Sequence, residues 1–229
     1  MKIHGFQKMT LLDYPGKVAC TIFTAGCNLR CPFCHNAFLV TQISNEREIS
    51  KDEILEYISK RKKILDGVCI TGGEPLENSD IFDFLAQIKK EGFLVKLDTN
   101  GTFPQRLKKA VEEKLIDYVA MDIKNCDEKY GETVGIADFD TAAVNESIDF
   151  LLKGAIDYEF RTTVVREFHT EEDIASIAKR ISGAKRYFLQ GFVDSGNLIG
   201  KELHGYTEEE MKKLKDVAAQ YIVGASLRG

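Results

Sequence analysis

Alternation between short strand-like runs and amphipathic helical patterns constrains the fold of this 229-residue chain more than any other feature. Runs rich in β-branched and aromatic residues predict six strands, at Val18–Thr24, Gly67–Thr71, Phe93–Asp98, Tyr118–Ile123, Tyr158–Val165 and Arg186–Gln190. Helical periodicity predicts six helices, at Lys51–Leu65, Ser79–Glu91, Pro104–Lys114, Phe139–Leu152, Glu171–Ile181 and Thr207–Tyr221. Strands separated by helices form right-handed βαβ units, so we predict an α/β protein with a parallel sheet.

The fold that we expect is a partial (β/α)6 barrel, TIM-like and built from parallel strands, with a flat doubly wound sheet as the alternative. Nearly all of the unusual polar residues follow the carboxyl ends of the predicted strands, where parallel α/β proteins place their active sites. We expect a single domain over residues 1–229, with an amino-terminal extension at 1–17 and a carboxyl-terminal helix and tail at 206–229. A hydrophobic fraction of 44% is sufficient for its core.

Composition argues against several classes of function. A net charge of −5 argues against broad nucleic-acid binding, and the basic run Lys60–Lys63 is typical of a solvated helix face. The longest apolar runs, such as Val18–Phe23, are far too short to span a bilayer. The segment Met1–Lys17 lacks the unbroken apolar stretch of a signal peptide. We therefore expect a cytoplasmic protein that binds neither nucleic acid nor membrane.

Three cysteines, Cys27, Cys31 and Cys34, follow the first predicted strand. In a reducing compartment, clustered cysteines indicate metal binding rather than disulfides. Iron–sulfur cubanes normally take four cysteine ligands, but no fourth cysteine stands near this Cys-x3-Cys-x2-Cys pattern. A cubane held by these thiolates would leave one iron open to an exogenous ligand, as catalytic metal sites do. The alternative is a zinc site completed by His35, although ligation by both Cys34 and its direct neighbour is awkward.

The remaining cysteines and histidines are given no part in this site. Isolated cysteines on or beside strands behave as small buried apolar residues, and the histidines fall in loops or near the termini. The residues concerned are Cys20, Cys69, Cys126, His4, His169 and His204.

With the aromatic Phe33 directly before the third cysteine, the motif resembles the signature of the radical S-adenosylmethionine (SAM) superfamily. The resemblance implies a [4Fe–4S] cluster on the three cysteines, with the amino and carboxylate groups of SAM bound to the remaining iron. It further implies that the reduced cluster donates one electron, and that SAM splits to methionine and a 5′-deoxyadenosyl radical.

The second predicted strand ends in Gly72-Gly73-Glu74-Pro75. Glycines let a backbone approach a ligand closely, and a glutamate offers its carboxylate to an ammonium group. The alternative is a tight turn with Pro75 near the start of a helix. The segment resembles the superfamily's GGEP motif, which implies that Gly72, Gly73 and Glu74 bind the methionine amino group of SAM.

Acidic residues follow the third and fourth predicted strands, in the segments 98–101 and 122–124. Such carboxylates accept hydrogen bonds from ribose hydroxyls or, with carbonyl oxygens, hold a hard cation. The alternatives are an ordinary turn in the first segment and a surface ion pair in the second. Both segments resemble motifs of glycyl-radical-enzyme activating proteins, which implies SAM binding by Asp98, Asn100, Asp122 and Lys124. The same resemblance implies a monovalent cation near Asp98, Thr99 and Asp122.

Arg161 interrupts the fifth predicted strand, and Gln190 ends the sixth. If the fifth strand lines a barrel, Arg161 and Thr163 share one face, and an inward arginine needs an anion such as the SAM carboxylate. The opposite register places Arg161 outside, against helix carboxylates. Gln190 is a candidate cofactor ligand of the same kind.

Two stretches, Leu12–Lys17 and Phe23–Asn36, narrow the resemblance to the activating proteins of anaerobic ribonucleoside-triphosphate reductase, relatives of pyruvate formate-lyase activating enzyme. The likeness implies an enzyme that removes a hydrogen atom from a glycine Cα of a partner glycyl radical enzyme. Because the chain has no further Cys-x2-Cys pair, electrons are expected from an outside donor such as flavodoxin or ferredoxin.

Three other functions stay open at this point. One is activation of pyruvate formate-lyase itself. Another is radical SAM chemistry on a small molecule, as in 7-carboxy-7-deazaguanine synthase. The third is a non-enzymatic iron–sulfur carrier or metal sensor, which would need the three cysteines but not Glu74, Asp98 or Asp122.

Overall fold

The computed structural model describes residues 1–42, 48–194 and 196–228. The chain divides into two compact units. Unit 1 comprises Met1–Asn28, Phe38–Thr99 and Phe103–Val119. Unit 2 comprises Leu29–Ala37, Asn100–Thr102 and the described residues from Ala120 onward. The assignment of residues 1–229 to one domain stays a prediction.

The described residues of unit 1 form the strands β1 Ile3–Thr10, β2 Ala19–Thr24, β3 Gly67–Gly72 and β4 Leu94–Thr99. The helices in this part of the chain are α1 Ala37–Thr41, α2 Lys51–Ser59, α3 Ile81–Lys90 and α4 Pro104–Glu112, with a short 3-10 helix at Pro75–Glu77. Strand β1 runs antiparallel to β2, whereas β2, β3 and β4 are parallel neighbours in that order. The βαβ connections therefore form the parallel pairing that the sequence predicts.

Helix α3 illustrates how the helices of unit 1 are held. Its buried side chains are Ile81, Phe84, Leu85 and Ile88, which follow the i, i+3, i+4, i+7 spacing of an amphipathic helix. Fully burying a side chain of this size contributes roughly 1.5–3 kcal/mol. The helix is therefore stabilised mainly by packing of this one face.

Strand β5, Tyr118–Asp122, begins in unit 1 and ends in unit 2. Within unit 1, the Asp117 N–H just before it donates to the Val95 carbonyl of β4 at 2.8 Å. Within unit 2, the Ile123 N–H just after it donates to the Arg161 carbonyl at 2.8 Å. Each end of β5 is thus fixed by backbone hydrogen bonding in its own unit.

Unit 2 holds three further strands, β6 Asp157–Val164, β7 Tyr187–Gly191 and β8 Ala225–Arg228. Its helices are α5 Asp127–Val134, α6 Ala142–Leu152, α7 Glu171–Arg180 and α8 Glu208–Ala219. The strands β6, β7 and β8 are parallel neighbours in that order. Helices α7 and α8 both begin with capping boxes, at Thr170 and Thr207, which satisfy their first backbone N–H groups.

The six predicted strands are confirmed, each to within one residue at either end. Two other strands and two helices were not predicted. Strand β1 lies in the presumed extension 1–17, and its exposed Gln7, Lys8 and Met9 mask the alternation of a strand. Strand β8 lies in the presumed tail and has only four residues. Helices α1 and α5 were also missed, the first because it is only five residues long.

Helix α5 carries a glycine in its interior, which costs about 1 kcal/mol relative to alanine and weakens the helical pattern. A Cβ at Gly131 would lie 2.6 Å from the Ile136 carbonyl oxygen, so packing requires the glycine.

Helix α2 ends at Ser59, earlier than predicted, where the basic run 60–63 begins. Within residues 1–42, 48–194 and 196–228, no helix has the length and apolar character needed to cross a bilayer.

Candidate functional site

In unit 1, the backbone just before Cys27 packs directly against Gly72 and Gly73. The Gly73 N–H donates to the Thr24 carbonyl at 2.8 Å, and the Glu74 N–H donates to the Gly26 carbonyl at 2.7 Å. A Cβ at Gly73 would lie 1.8 Å from the Gly26 oxygen, and one at Gly72 would lie 2.3 Å from the Thr24 oxygen. Glycine is therefore required at positions 72 and 73 because the loop after β3 packs closely against the loop after β2. Contact of these glycines with a ligand stays a prediction.

Glu74 is fully buried within unit 1 at 0% exposure. Its Oε1 accepts hydrogen bonds from the Leu76 N–H at 3.0 Å and from the Thr99 hydroxyl at 2.9 Å. The first bond caps the 3-10 helix at Pro75–Glu77, which is the structural role considered as the alternative for this segment. The second fixes the carboxylate to the end of β4, so Glu74 is rigidly placed for either role.

Asp98 stands at the end of β4, beside a residue that the sequence analysis missed. The Lys96 ammonium forms an ion pair with Asp98 Oδ1, and Lys96 is only 1% exposed. The Cys69 sulfur lies 3.8 Å from both Lys96 Nζ and Asp98 Oδ1. Cys69 is fully buried, as expected of it, but in a polar rather than an apolar setting.

In unit 2, the rest of the cysteine segment is held by backbone contacts from two directions. The Arg30 N–H donates to the Val134 carbonyl at the end of α5 at 2.9 Å, and the Gly200 N–H donates to the Pro32 carbonyl at 2.7 Å. Between these anchors, the Cys34 N–H donates to the Cys31 carbonyl at 3.1 Å, which closes a tight turn. The spacing of the second and third cysteines is therefore built into a local turn.

Phe33 occupies that turn and is buried against two residues that follow β6. Its ring centroid lies 5.8 Å from that of Phe168 and 6.3 Å from that of His169. His169 is itself buried, and its Nε2 lies 2.7 Å from the Lys124 carbonyl oxygen. Because its Nδ1 accepts from the Val165 N–H at 3.1 Å, Nε2 carries the proton and donates to Lys124. His169 thus connects the turn to the end of β5.

Asp122, Lys124 and Arg161 form a charge cluster in unit 2. The Asp122 carboxylate contacts Arg161 Nε at 2.9 Å and Lys124 Nζ at 3.1 Å. Burial alone would raise the pKa of Asp122, but the charges of Arg161 and Lys124 outweigh it and lower the pKa to about 2. For Lys124, burial lowers the pKa, and the Asp122 charge more than reverses this. The cluster therefore stays fully charged, with one net positive charge from two cations and one carboxylate.

Arg161 and Gln190 lie on the same face of unit 2. Parallel pairing sets Arg161 opposite Phe188 and Thr163 opposite Gln190, so these side chains share one side of β6 and β7. Arg161 pairs with Asp122, a carboxylate at the end of a strand. The register that places Arg161 with the other strand-end residues is the one observed, while its contact with SAM stays a prediction.

Asn100 forms an ordinary turn, which is the alternative to SAM binding considered for the segment 98–101. Its Oδ1 accepts from the Thr102 N–H at 3.0 Å and from the Thr102 hydroxyl at 2.6 Å, an Asx turn. Gly101 follows with φ of +77°, a conformation that favours glycine. Binding of a cofactor by Asn100 stays a prediction.

The thiols of the motif lie close enough to the charge cluster to be influenced by it. Burial raises the pKa of Cys31 to about 11, while the positive charge of Lys124 acts to lower it. Burial also raises the pKa of Cys34, against the opposing effects of a backbone hydrogen bond and Lys124. A metal site needs thiolates, and metal binding removes their protons. A lysine beside two such cysteines fits a cluster that carries negative thiolate charge.

The zinc alternative is not favoured by the position of His35. Its imidazole stacks on Phe192 with ring centroids 5.6 Å apart, and its Nε2 lies 3.0 Å from the Val193 carbonyl oxygen. This orientation directs His35 toward the loop after β7. Across residues 1–42, 48–194 and 196–228, no three His, Cys, Asp or Glu side chains are grouped closely enough to bind a metal. Assignment of the three cysteines as ligands therefore rests on the motif and on thiol chemistry.

Two buried residues with contacts to the predicted site, Lys96 and His169, were missed by sequence reasoning. The sequence did contain a signal for Lys96. It is a lysine within an otherwise apolar strand, two residues before Asp98, so the two side chains are expected on the same face of the strand. For His169 there was none, since its contacts join segments far apart in sequence.

Comparison with known proteins identifies the family. The model of the Radical SAM superfamily matches residues 21–181. A protein of Methanocaldococcus jannaschii named as a glycyl-radical enzyme activating enzyme is 34% identical over 232 residues, which cover 99% of this chain and 95% of that protein. The pyruvate formate-lyase 1-activating enzyme of Escherichia coli K12 is 28% identical over 241 residues, which cover 96% of each chain.

A solved structure supports the fold. Streptococcus suis SuiB bound to S-adenosylmethionine matches with a TM-score of 0.70 at 15% identity, over 90% of this chain and 49% of that one. This chain thus spans about half the length of SuiB. The match confirms the predicted α/β partial-barrel fold class. With a family model that matches most of its residues and relatives similar over nearly their full length, the chain belongs to the radical SAM superfamily, among the glycyl-radical enzyme activating enzymes.

Proposed function

We propose that this enzyme generates a glycyl radical on anaerobic ribonucleoside-triphosphate reductase by removing a hydrogen atom from a glycine Cα of that partner. The observation that carries the activating chemistry is the hydrogen bond between the Glu74 N–H and the carbonyl of Gly26. It fixes the proposed ligand of the SAM amino group to the backbone directly before Cys27. The choice of partner rests on the resemblance of Leu12–Lys17 and Phe23–Asn36 to activating proteins of that reductase.

In this proposal, Cys27, Cys31 and Cys34 hold a [4Fe–4S] cluster. When bound, the cluster supplies the electron for the reductive cleavage of SAM that is common to the superfamily. Lys124 favours the negatively charged form of Cys31 and Cys34 through its own charge. The turn closed by Cys34 N–H and Cys31 C=O sets the spacing of these two ligands, and Phe33 packs that turn against Phe168.

SAM is an ammonium, a carboxylate and a sulfonium in one molecule, so its site needs charges of both signs. We assign Glu74 and the backbone of Gly72 and Gly73 to the amino group. The net positive charge of Asp122, Lys124 and Arg161 suits the SAM carboxylate, because charge-assisted hydrogen bonds are the strong ones.

The remaining assigned residues complete the polar part of the proposed SAM site. We assign Asp98, Asn100 and Gln190 to the ribose and to polar contacts with SAM. A monovalent cation near Asp98, Thr99 and Asp122 is part of the proposal as the resemblance implies it, although Lys96 already brings a positive charge to Asp98.

The partner and the source of electrons complete the proposal. The relatives' names refer to activation of glycyl radical enzymes and of pyruvate formate-lyase, both protein substrates. We propose flavodoxin or ferredoxin as the electron donor and the cytoplasm as the compartment. Pyruvate formate-lyase is the second candidate partner, because its E. coli activating enzyme matches 96% of this chain.

The test is electron paramagnetic resonance of the candidate partners. Anaerobically reconstituted enzyme, SAM and reductant are incubated separately with anaerobic ribonucleoside-triphosphate reductase and with pyruvate formate-lyase. We expect a glycyl radical doublet on the reductase, and none when the Cys34→Ala variant replaces the wild type. A doublet on pyruvate formate-lyase alone would reassign the partner. Production of 5′-deoxyadenosine only with a small substrate, such as a precursor of 7-carboxy-7-deazaguanine, would refute activation of a protein.

A further inference from the structure

Lys96 is a lysine buried in the middle of a strand, which is an uncommon place for a charge. It is 1% exposed, on β4, and its register partner on β3 is Cys69. Removing an ammonium from water is costly unless a partner of opposite charge compensates it. Here the compensating group is Asp98, whose carboxylate pairs with the Lys96 ammonium.

Lys96 and Asp98 are two residues apart on one strand, so their side chains stand on the same face and one step apart along it. The Cys69 sulfur lies 3.8 Å from both groups and borders the pair on the β3 side. An ammonium below the carboxylate therefore restricts the rotation of Asp98 about its side-chain bonds.

Asp98 is continuous with the proposed SAM site of unit 1. Thr99, the next residue, donates its hydroxyl to Glu74 Oε1 at 2.9 Å. The Lys96–Asp98 pair therefore lies on one face of β4, and the Thr99–Glu74 contact follows it by one residue along the same strand. A change in the charge of Lys96 is expected to alter the orientation of Asp98 at the strand end.

We propose that Lys96 is a positioning residue for SAM binding, which holds the Asp98 carboxylate oriented toward the bound cofactor. The proposal rests on the proposed function, because it takes Asp98 to be a ligand of SAM. Lys96 itself does not contact SAM. Its buried ammonium places a fixed positive charge beside the Asp98 carboxylate.

The test replaces Lys96 by Met, which keeps the length of the side chain and removes its charge. SAM affinity is measured by equilibrium titration of cluster-reconstituted protein at 10 °C, and melting temperature is measured on the cluster-free protein. We expect SAM affinity to fall roughly ten- to hundred-fold, the range for a charge-assisted hydrogen bond. The melting temperature should fall by about 10 °C, because a mostly buried carboxylate loses the ammonium with which it pairs.

Two further variants separate positioning from mere support of the fold. In Lys96→Met/Asp98→Asn both charges of the pair are gone, so the melting temperature should recover in part while SAM affinity stays low. In Lys96→Ala, ethylammonium at millimolar concentration should restore part of the SAM affinity, since it replaces the lost ammonium. The control is Lys89→Met, because Lys89 pairs with Asp117 at 2.7 Å near the other end of β4 and is more exposed. It should leave SAM affinity unchanged.

Unchanged SAM affinity in Lys96→Met would overturn the inference and leave the proposed function intact. Recovery of SAM affinity in the double variant would also overturn it, since a carboxylate at position 98 would then be unnecessary. Failure of the reconstituted wild type to bind SAM would instead defeat the proposed function, and the inference with it.

Discussion

Replacement of Arg228 by Met should destabilise unit 2 more than an ordinary change near a chain end. Arg228 is in β8 and donates to Glu159 of β6 through two bonds, Nη1 to Oε1 at 2.5 Å and Nη2 to Oε2 at 3.0 Å. Its guanidinium also lies 3.6 Å from the centre of the Phe188 ring on β7. One side chain therefore connects three neighbouring strands.

The magnitude follows from the difference in burial of the two partners. Glu159 is 0% exposed, so its carboxylate cannot exchange Arg228 for water without a structural change. Breaking a buried ion pair from one side typically costs about 3–5 kcal/mol. Because the Arg228 side chain is 32% exposed and partly screened by water, we expect about 2–3 kcal/mol for Arg228→Met. For a chain of this size, that corresponds to a melting temperature lower by roughly 4–12 °C.

Urea unfolding of the cluster-free protein, followed by circular dichroism, measures this loss. A shift in midpoint without a change in slope would report stability alone. The control is Lys212→Met, which removes an exposed i, i+4 pair with Glu208 on α8 and should cost less than about 0.5 kcal/mol. Addition of Glu159→Gln to Arg228→Met should restore part of the loss. Equal, small effects of the Arg228 and Lys212 variants would refute the reasoning.

Three further predictions concern the cofactors and acid stability. Cys27→Ala, Cys31→Ala and Cys34→Ala should each lose the intact cluster in iron and sulfide assays, whereas Cys69→Ala and Cys126→Ala should keep it; full clusters in all three motif variants would disprove the ligand set. Glu74→Gln keeps an acceptor for Leu76 and Thr99 but loses the charge, so SAM affinity should fall roughly ten- to hundred-fold with little change in melting temperature. A lower melting temperature with unchanged SAM binding would instead make Glu74 a structural cap. Burial lowers the pKa of His169, so the unfolded chain takes up a proton near pH 6.5 while the folded chain does so only at lower pH. Stability should therefore fall as the pH drops below about 6.5, and His169→Gln should show a flatter dependence; identical pH profiles would contradict this.

The sequence was sufficient to locate the six main strands because each combines β-branched or aromatic residues with a sharp boundary. It was also sufficient to place the polar candidates at strand ends, since that follows from order along the chain. What it could not provide was the partner of each side chain. Arg161 is an example, because both of its possible registers satisfied the same pattern and only the contact with Asp122 distinguishes them.

Edge strands and long-range contacts were also not predicted from the sequence. Strand β1 has exposed Gln7, Lys8 and Met9 in succession, so its sequence lacks the period of two on which strand prediction depends. The close backbone approach at the glycines at 72 and 73 was not predicted. Room for a ligand at these glycines stays a prediction, and the structure adds the carbonyl groups of Thr24 and Gly26 as their neighbours.

The contact between Gly73 and Gly26 sets a rule for how this loop can vary in length. Two hydrogen bonds, from Gly73 to Thr24 and from Glu74 to Gly26, fix the three residues before Cys27 in register with the end of β3. An insertion or deletion between Thr24 and Gly26 would prevent both bonds from forming together and would move the first cysteine relative to Glu74. Natural or engineered changes of loop length between Thr24 and Gly26 should therefore be poorly tolerated, and a graft of this motif into another scaffold must include both loops.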